Sequence, residues 1–306
     1  MRLTLLISIL ILFTISLHAQ NDPLYAQYLN NPLLINPAYT GLNNNFNTSI
    51  TYRKQWAGFE GSPSTANVTA HTSLLNNKMG VGLMLLQDKI GNSNNTEIQG
   101  TYAYKIGFDD KYLSFGLQAG ILNFRSDNTL INPYDKGDAV FMQNQNITKP
   151  SFGAGIILKS DRFLIGLSVP RMLKATGTFL DSASNAFQAS LYSQHFYATT
   201  AYVFYLTQRV RLKPSILVKA VKGAPVSIDY QTNIILDEKY IAGLYIRNLN
   251  SIGALIQFKF TKGYRFGYVY EIPLRNSVGT QFNTHEISLG INLSLFSSHD
   301  TFISNF

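Results

Sequence analysis

The stretch that decides the fold is "TEIQGTYAYKIG", residues 96–107. Apolar residues or glycine occupy its even positions from Ile98 to Ile106, and polar residues such as Glu97 and Lys105 occupy odd positions. Because successive side chains of a β-strand point to opposite faces, this alternation predicts a strand with one apolar face and one polar face.

The same alternation recurs in "VRLKPSILVKAVK" (210–222), "YRFGYVYE" (264–271) and "HEISLGINLSLF" (285–296). It predicts about 14 strands, most of roughly 8–13 residues. Such strands are longer than those of most soluble sheets and close to the 9–11 residues that cross a bilayer at a tilt. The predicted strands span 48–56, 65–74, 79–88, 95–107, 111–125, 150–159, 162–169, 195–206, 210–221, 225–236, 240–247, 251–260, 263–271 and 284–296.

The lengths of the connections alternate as well. Connections after even-numbered strands are short, for example "FDD" and "SD", whereas the long ones follow odd-numbered strands, at 57–64, 126–149, 170–194 and 272–283. Short periplasmic turns opposite long loops are typical of outer-membrane barrels, and a soluble sandwich has no reason to sort its loops in this way. The sequence therefore predicts an all-β fold, a transmembrane outer-membrane antiparallel β-barrel with both termini periplasmic.

The two ends of the chain predict separate segments. Residues 1–19 resemble a signal peptide, with Arg2 followed by an apolar run from Leu3 to about Leu17 that is too short for a transmembrane helix. The alternative is a retained N-terminal membrane anchor. The barrel is expected over 48–296, closed by Phe296, with a tail over 297–306.

The segment between the signal peptide and the barrel, residues 20–47, contains "NNPLLINPAYTG" at 30–41. Two closely spaced prolines suit neither a regular helix nor a strand. Asparagine side chains can satisfy backbone groups in a polar lumen, and Gly41 permits a turn into the first strand. We therefore expect a plug-like segment, periplasmic or lumenal, that fills part of the lumen.

Composition narrows the classes of partner. Only 14% of residues are charged, cysteine is absent, and the formal net charge is +8. The basic residues are scattered rather than clustered, which indicates groups that line a lumen or face outer-membrane lipid and argues against nucleic acid. Seven glycines lie inside predicted strands, where they indicate bends, bulges or close backbone approach. They are Gly80, Gly82, Gly116, Gly120, Gly153, Gly155 and Gly166.

No motif for catalysis or for a bound metal emerges. "THEISL" begins like the zinc motif H-E-x-x-H, but Leu289 occupies the second histidine position, and the segment is a predicted strand. The dipeptide Asp109–Asp110 is interpreted as a turn. The sequence predicts no catalytic, cofactor-binding or metal-binding residue and no cofactor.

Four stretches carry a resemblance to a known family: "QNDPLYAQYLNNPLLINPAYTG" (20–41), "YRKQWAGFEGSPSTANVTAHTSL" (52–74), "MGVGLMLLQDKIG" (79–91) and "THEISLGINLSL" (284–295). Together they resemble the PorP/SprF family of type IX secretion system membrane proteins. The motif residues carried over are family markers without an assigned role: Asn36, Pro37, Ala38, Tyr39, Gly41, Arg53, Trp56, Gly58, His285 and Glu286.

The resemblance implies a non-enzymatic outer-membrane barrel of Bacteroidetes that works with the type IX secretion components. Members help to secrete or anchor a large surface protein with a C-terminal recognition domain, including adhesins of gliding motility. The loops near 126–149 and 170–194 and the N-terminal segment are the candidate docking surfaces. Two alternatives stay open: a channel or transporter for small or hydrophobic molecules, and an outer-membrane enzyme.

Overall fold

The computed structural model describes residue 28 and residues 31–128, 144–180, 186–221, 224–260, 263–274 and 281–296. The predicted signal peptide and C-terminal tail lie outside the described residues. No helix in these ranges is long and apolar enough to cross a membrane. The strands are β1 (Phe46–Lys54), β2 (Ser64–Leu74), β3 (Met79–Ile90), β4 (Ser93–Phe108), β5 (Lys111–Ser126), β6 (Gln145–Lys159), β7 (Phe163–Val169), β8 (Ala175–Leu180), β9 (Ala186–Tyr192), β10 (His195–Tyr202), β11 (Phe204–Tyr205), β12 (Val210–Val221), β13 (Ser227–Leu236), β14 (Tyr240–Arg247), β15 (Ser251–Lys259), β16 (Tyr264–Pro273) and β17 (Thr284–Leu293).

A closed ring of 14 antiparallel strands forms the body of the protein. The ring runs from β1 to β7, continues through β10 and β12 to β17, and closes where β17 pairs with β1. At this closure Arg53 stands opposite Glu286 in the register. A closed ring leaves no unpaired sheet edge, which is the condition for a sheet to span a membrane. The predicted strand number and barrel class are confirmed.

Most strand boundaries differ from the predicted ones by one or two residues, and three differences carry structural information. β6 begins at Gln145 rather than 150, because the antiparallel pairing with β5 continues past Pro150. The predicted strand 195–206 divides at Val203 into β10 and β11, which keep one register against β12, with Pro214 opposite Tyr202, next to the break. Proline has no N–H to donate to a sheet. β17 ends at Leu293, so Phe296 does not close the last strand.

The connection 170–194, predicted as a loop, contains a hairpin of its own. β8 and β9 pair only with each other, as a two-stranded sheet apart from the ring. β8, "ATGTFL", begins with four small residues, which give little hydrophobic contrast between the two faces of a strand. β9, "AFQASLY", does alternate, but over only seven residues, fewer than most of the predicted barrel strands.

The two ends of the barrel differ in the length of their connections. At one end, here called the short-turn end, the connections are 75–78, 109–110, 160–162, 206–209, 237–239 and 260–263. The other, the long-loop end, carries the long connections 55–63, 127–144, 170–194 and 274–283. The predicted sorting of loop lengths is thus present, and β1 begins and β17 ends at the short-turn end.

The two faces of the ring have opposite polarity. Outward positions carry large apolar side chains, such as Leu83, Leu117 and Leu244, which are 49%, 61% and 63% exposed. Inward positions carry buried polar side chains such as Gln99 and Ser114. An apolar outer face around a polar lumen is the arrangement of a membrane barrel, because only the outer face meets lipid.

Candidate functional site

Residues 31–45, here called the inner segment, lie within the ring, and residues 31–42 are all buried. The segment forms two 3₁₀ turns, Pro32–Leu34 and Pro37–Tyr39, each with a proline at its first position. The fixed φ angle of proline suits the start of such a turn and lowers the entropy that ordering costs. The two prolines therefore fix the path that the segment takes.

Asn36 joins the inner segment to the strands of the ring, here called the wall. Its Oδ1 accepts a hydrogen bond from the Ala38 N–H at 2.9 Å, which caps the second 3₁₀ turn. Its Nδ2 donates to the carbonyl oxygens of Ile156 and Leu167, on the neighbouring strands β6 and β7, at 3.3 and 3.2 Å. One side chain thus satisfies three backbone groups, the role that the sequence predicted for asparagine here.

Glycines in the wall let the inner segment approach the strand backbones. A Cβ at Gly116 would lie 2.0 Å from the Ala38 nitrogen, and one at Gly155 would lie 2.0 Å from Asn36 Oδ1. A Cβ at Gly80 would lie 2.0 Å from the Thr40 carbonyl oxygen. At these positions the predicted close approach of the backbone is the reason for glycine.

Polar wall side chains satisfy the carbonyl groups of the inner segment. Ser114 Oγ donates to the Ala38 oxygen and Ser168 Oγ to the Ile35 oxygen, both at 2.6 Å. Lys105 Nζ donates to the Gly41 oxygen at 2.7 Å, and the Gly41 N–H donates to His71 Nδ1 at 3.0 Å. Because buried backbone groups are costly when unpaired, these bonds specify one docked position.

Tyr39 is buried between the inner segment and the wall. Its hydroxyl oxygen accepts a hydrogen bond from Asn43 Nδ2 at 2.7 Å, and its ring meets that of His71 edge to face. Burial raises the pKa of Tyr39 to about 12, because the phenolate would lose its hydration. Apolar residues of the segment, including Leu33 and Ile35, complete a cluster with wall residues such as Ile157.

A second polar structure, the lumenal ion network, lies near the long-loop end. Arg53 contacts Glu286 at 3.2 Å and Glu271 at 3.1 Å. Arg247 contacts Glu271 at 3.2 Å and Asp229 at 2.9 Å. The Tyr245 hydroxyl adds a hydrogen bond to Glu271 at 2.5 Å. The network thus links inward side chains of β13, β14, β16, β17 and β1.

The chain that leaves β7 also turns into the lumen. Arg171 forms an ion pair with Glu97 of β4 at 2.6 Å, and its guanidinium lies 5.4 Å from the centroid of the Tyr192 ring. Gln118 Nε2 donates to the Pro170 carbonyl oxygen at 2.9 Å. These contacts hold the base of the long connection 170–194 against β4 and β5.

The structure divides the predicted motif residues among four places. The inner segment holds Asn36, Pro37, Ala38, Tyr39 and Gly41, and the lumenal ion network holds Arg53 and Glu286. Trp56 and Gly58 lie in the β1–β2 connection with φ of 50° and 94°, where the Trp56 N–H donates to Thr284 Oγ1. His285 faces outward, with Nδ1 2.7 Å from the Tyr268 hydroxyl.

Sequence reasoning missed three members of the ion network: Asp229, Arg247 and Glu271. All three occupy inward strand positions, and the alternation in 264–271 placed Glu271 on the polar face of its strand without identifying a partner. Asp229 and Arg247 meet because β13 pairs with β14, whereas Glu271 reaches Arg53 only because the ring closes between β17 and β1.

These features define the class of the protein: a membrane-spanning β-barrel of the outer-membrane type. A family model described as type IX secretion system membrane protein PorP/SprF matches residues 17–291. The chain belongs to the PorP/SprF family. A search of curated proteins finds no significant match.

Solved outer-membrane barrels share the architecture. The CymD monoaromatic hydrocarbon channel is similar with a TM-score of 0.52 at 10% identity, over 91% of this chain and 95% of that one. Omp33 of Acinetobacter baumannii has a TM-score of 0.49 at 9% identity, over 83% and 100% of the two chains. At such identities the CymD likeness concerns the fold alone.

Proposed function

We propose that this protein is a non-enzymatic barrel that helps to secrete, or to hold at the cell surface, one large protein with a C-terminal recognition domain. The observation that carries the proposal is the PorP/SprF family match over residues 17–291. The partner is adhesin-like, and the termini are periplasmic, since the short turns of outer-membrane barrels face the periplasm.

The arrangement of the lumen supports binding rather than diffusion. Residues 31–42 are buried inside the ring, and the lumenal ion network links the wall strands nearer the long-loop end. A solute that crossed the lumen would have to displace the inner segment and its hydrogen bonds to backbone groups. The inner segment therefore acts as a plug.

The docking surface in this proposal is the long-loop end. The β8–β9 hairpin is built apart from the ring but held to the wall through Arg171 and Glu97. Met172 and Leu173, beside it, are each 45% exposed. A loop fixed at its base to a rigid barrel and carrying exposed apolar side chains suits protein recognition.

The test is deletion of the gene, followed by comparison of surface and medium proteins by mass spectrometry. One large protein should leave the surface and regain it when the wild-type gene is restored. A loss confined to uptake of small molecules would contradict the proposal and favour a channel, the class to which the CymD monoaromatic hydrocarbon channel belongs.

A second strain separates docking from barrel assembly. Residues 175–192 are replaced by a short Gly-Ser turn, which removes the hairpin and leaves the ring intact. The same surface protein should be lost while the barrel still migrates as a folded species in unheated gels. An unchanged surface level of that protein would assign docking to another part of the barrel.

A further inference from the structure

Charge is distributed unevenly along the lumen. Within the described strands, the inward acidic residues lie toward the long-loop end: Asp88, Glu97, Asp229, Glu271 and Glu286. Toward the short-turn end the inward residues that carry charge are cationic: Lys105, Lys159, Arg211, Lys213, Lys259 and Arg265. His71, at the same end, accepts the Gly41 N–H through Nδ1 and is neutral. The opening at the short-turn end therefore carries a positive inner wall.

Lys105, Lys159 and Arg211 donate to oxygen atoms of the inner segment and of one turn. Lys105 donates to the Gly41 carbonyl oxygen and to Asn44 Oδ1, and Lys159 Nζ donates to Asn43 Oδ1 at 3.1 Å. Arg211 pairs with Glu238 of the β13–β14 turn. Oxygen atoms of the inner segment thus accept hydrogen bonds from the two lysines, and a carboxylate of one turn pairs with Arg211.

Arg265 is placed differently. In the register it stands opposite Lys259 on one side and Gly290 on the other. A Cβ at Gly290 would lie 3.0 Å from both Nε and Nη2 of Arg265, so the absence of a side chain there gives the guanidinium its place along β17. Its Nη2 lies 3.5 Å from Asn47 Oδ1, the outer limit of a hydrogen bond.

The guanidinium has unused donor capacity among the described residues. Arg265 Nε is buried and makes no hydrogen bond to any of them. Its positive charge also acts on Lys213 and Lys259, and Glu238 offsets part of this repulsion at Lys259. An arginine whose Nε is buried and that has no carboxylate partner among the described residues is unfavourable until an anion neutralises it.

Arg265 lies across the lumen from the anchors of the inner segment. The hydrogen bonds of Asn36, Ala38 and Gly41 described above reach strands β2 and β4 to β7, whereas Arg265 projects from β16. Tyr39 is the residue of the inner segment on which the charge of Arg265 acts. The cationic wall and the inner segment therefore face each other at the short-turn end.

We infer that Arg265, Lys259 and Lys213 form a lumenal oxyanion site that takes a carboxylate or phosphate group entering from the short-turn end. The planar guanidinium offers two parallel N–H donors that match such a group, and the lysines add positive charge around it. Gly290 leaves room for the guanidinium against β17, and Asn47 Oδ1 lies at the outer limit of a hydrogen bond to it. The site faces the lumen and not the lipid, so its ligand comes from water. This inference does not depend on the proposed secretion partner.

The experiment is isothermal titration of the purified full-length protein in detergent. The probes are inorganic phosphate, acetate and a tetra-aspartate peptide, each compared with chloride at equal ionic strength. We expect saturable binding that weakens by about tenfold or more in Arg265→Gln, because the substitution removes the two charged N–H donors of the guanidinium that hold the anion. Lys259→Gln should weaken it as well. The control Lys78→Gln removes an exposed cation at the same end and should leave binding unchanged.

The probes distinguish the sources of the anion. Equal binding of acetate and peptide per carboxylate indicates a free small acid, phosphate alone indicates a phosphate compound, and much tighter peptide binding indicates an acidic protein segment. Absence of binding by all three probes, or Arg265→Gln binding as tightly as the wild type, would overturn the site.

Thermal unfolding gives a second readout. The oxyanion should raise the unfolding temperature of the wild type but not of Arg265→Gln. In chloride alone the variant should unfold at a temperature no lower than the wild type, because repulsion from the lysines is relieved. A clear drop in chloride would show that Arg265 is already neutralised within the protein and would contradict the inference.

Discussion

Arg53 of β1 and Glu286 of β17 are 233 residues apart in the chain, yet they stand opposite each other where the barrel closes. Their side chains form an ion pair of 3.2 Å, and each is no more than 3% exposed. Arg53 also reaches Glu271 of β16. The first strand is thereby tied to the last two by charge as well as by backbone hydrogen bonds.

The first prediction concerns this closure. Arg53→Gln leaves Glu286 without its arginine and Glu271 with only Arg247. Breaking a buried pair from one side costs about 3 kcal/mol or more, because an uncompensated charge remains. We expect a lower midpoint of urea unfolding, measured by the shift between folded and unfolded bands in gels.

The control for the first prediction is Arg209→Gln, at the short-turn end. Arg209 pairs with Asp237, but its side chain is 75% exposed. Exposed pairs contribute little because water screens them. Equal destabilisation by the two substitutions would show that the buried Arg53–Glu286 pair stabilises the barrel no more than the exposed Arg209–Asp237 pair does.

The second prediction concerns the glycines that face the inner segment. Gly116→Ala places a methyl group 2.0 Å from the Ala38 nitrogen, which forces the segment away from β5. Overpacking of this kind costs about 1–3 kcal/mol. Protease cleavage between residues 31 and 45 should become faster, as followed by mass spectrometry.

Gly100→Ala is the matched control for Gly116→Ala. Gly100 faces outward, and its Cβ would meet only the Ala119 oxygen, at an ordinary 3.7 Å. Cleavage in this variant should match the wild type. Equal protection of the segment in Gly116→Ala would refute the docked position.

The third prediction tests the plug. A barrel that lacks residues 20–45 loses the inner segment, and a ring of 14 strands is wide enough to conduct once it is empty. New ion conductance should appear in planar bilayers. If the truncated barrel folds but conducts no more than the full chain, the segment does not plug the lumen.

The fourth prediction follows from the raised pKa of Tyr39. An ordinary tyrosine has a pKa of 10.0, and burial raises that of Tyr39 to about 12. The folded state holds the Tyr39 proton more tightly than the unfolded state does. The stabilisation that results is therefore complete below pH 10 and is lost as the pH rises to about 12. The loss is on the order of 2 to 3 kcal/mol.

The measurement for Tyr39 is the unfolding temperature as a function of pH in wild type, Tyr39→Phe and Tyr52→Phe. Above pH 10 the unfolding temperature should fall less steeply in Tyr39→Phe than in the wild type, whereas Tyr52→Phe should follow the wild type. Tyr52 is a suitable control because it faces outward and is 51% exposed. A decline identical in all three proteins would show that Tyr39 is hydrated.

Much of the architecture could be predicted from local pattern. Glu97 and Ile98 face opposite sides of β4 because neighbouring strand residues must do so, and the inward and outward assignment followed from polarity. The short turns were predictable because turns have a local chemistry, as at Asp109 with a φ of 53°. β8 begins with four small residues that lack this contrast, and β9 alternates over only seven residues, so the hairpin was missed.

The sequence by itself determined the number of strands, the sorting of the loops and the polarity of each face, because these depend on residues close together in the chain. It did not determine that Gly116 faces Ala38 while Gly100 faces outward beside Ala119. Nor did it show that His285 contacts Tyr268 on the outer face while its neighbour Glu286 pairs with Arg53 in the lumen. The Arg53–Glu286 pair arises only when the ring closes, since closure joins strands more than 200 residues apart, and the approach of Ala38 to Gly116 arises only when the inner segment docks. The contact of His285 with Tyr268 depends on the register in which β17 pairs with β16.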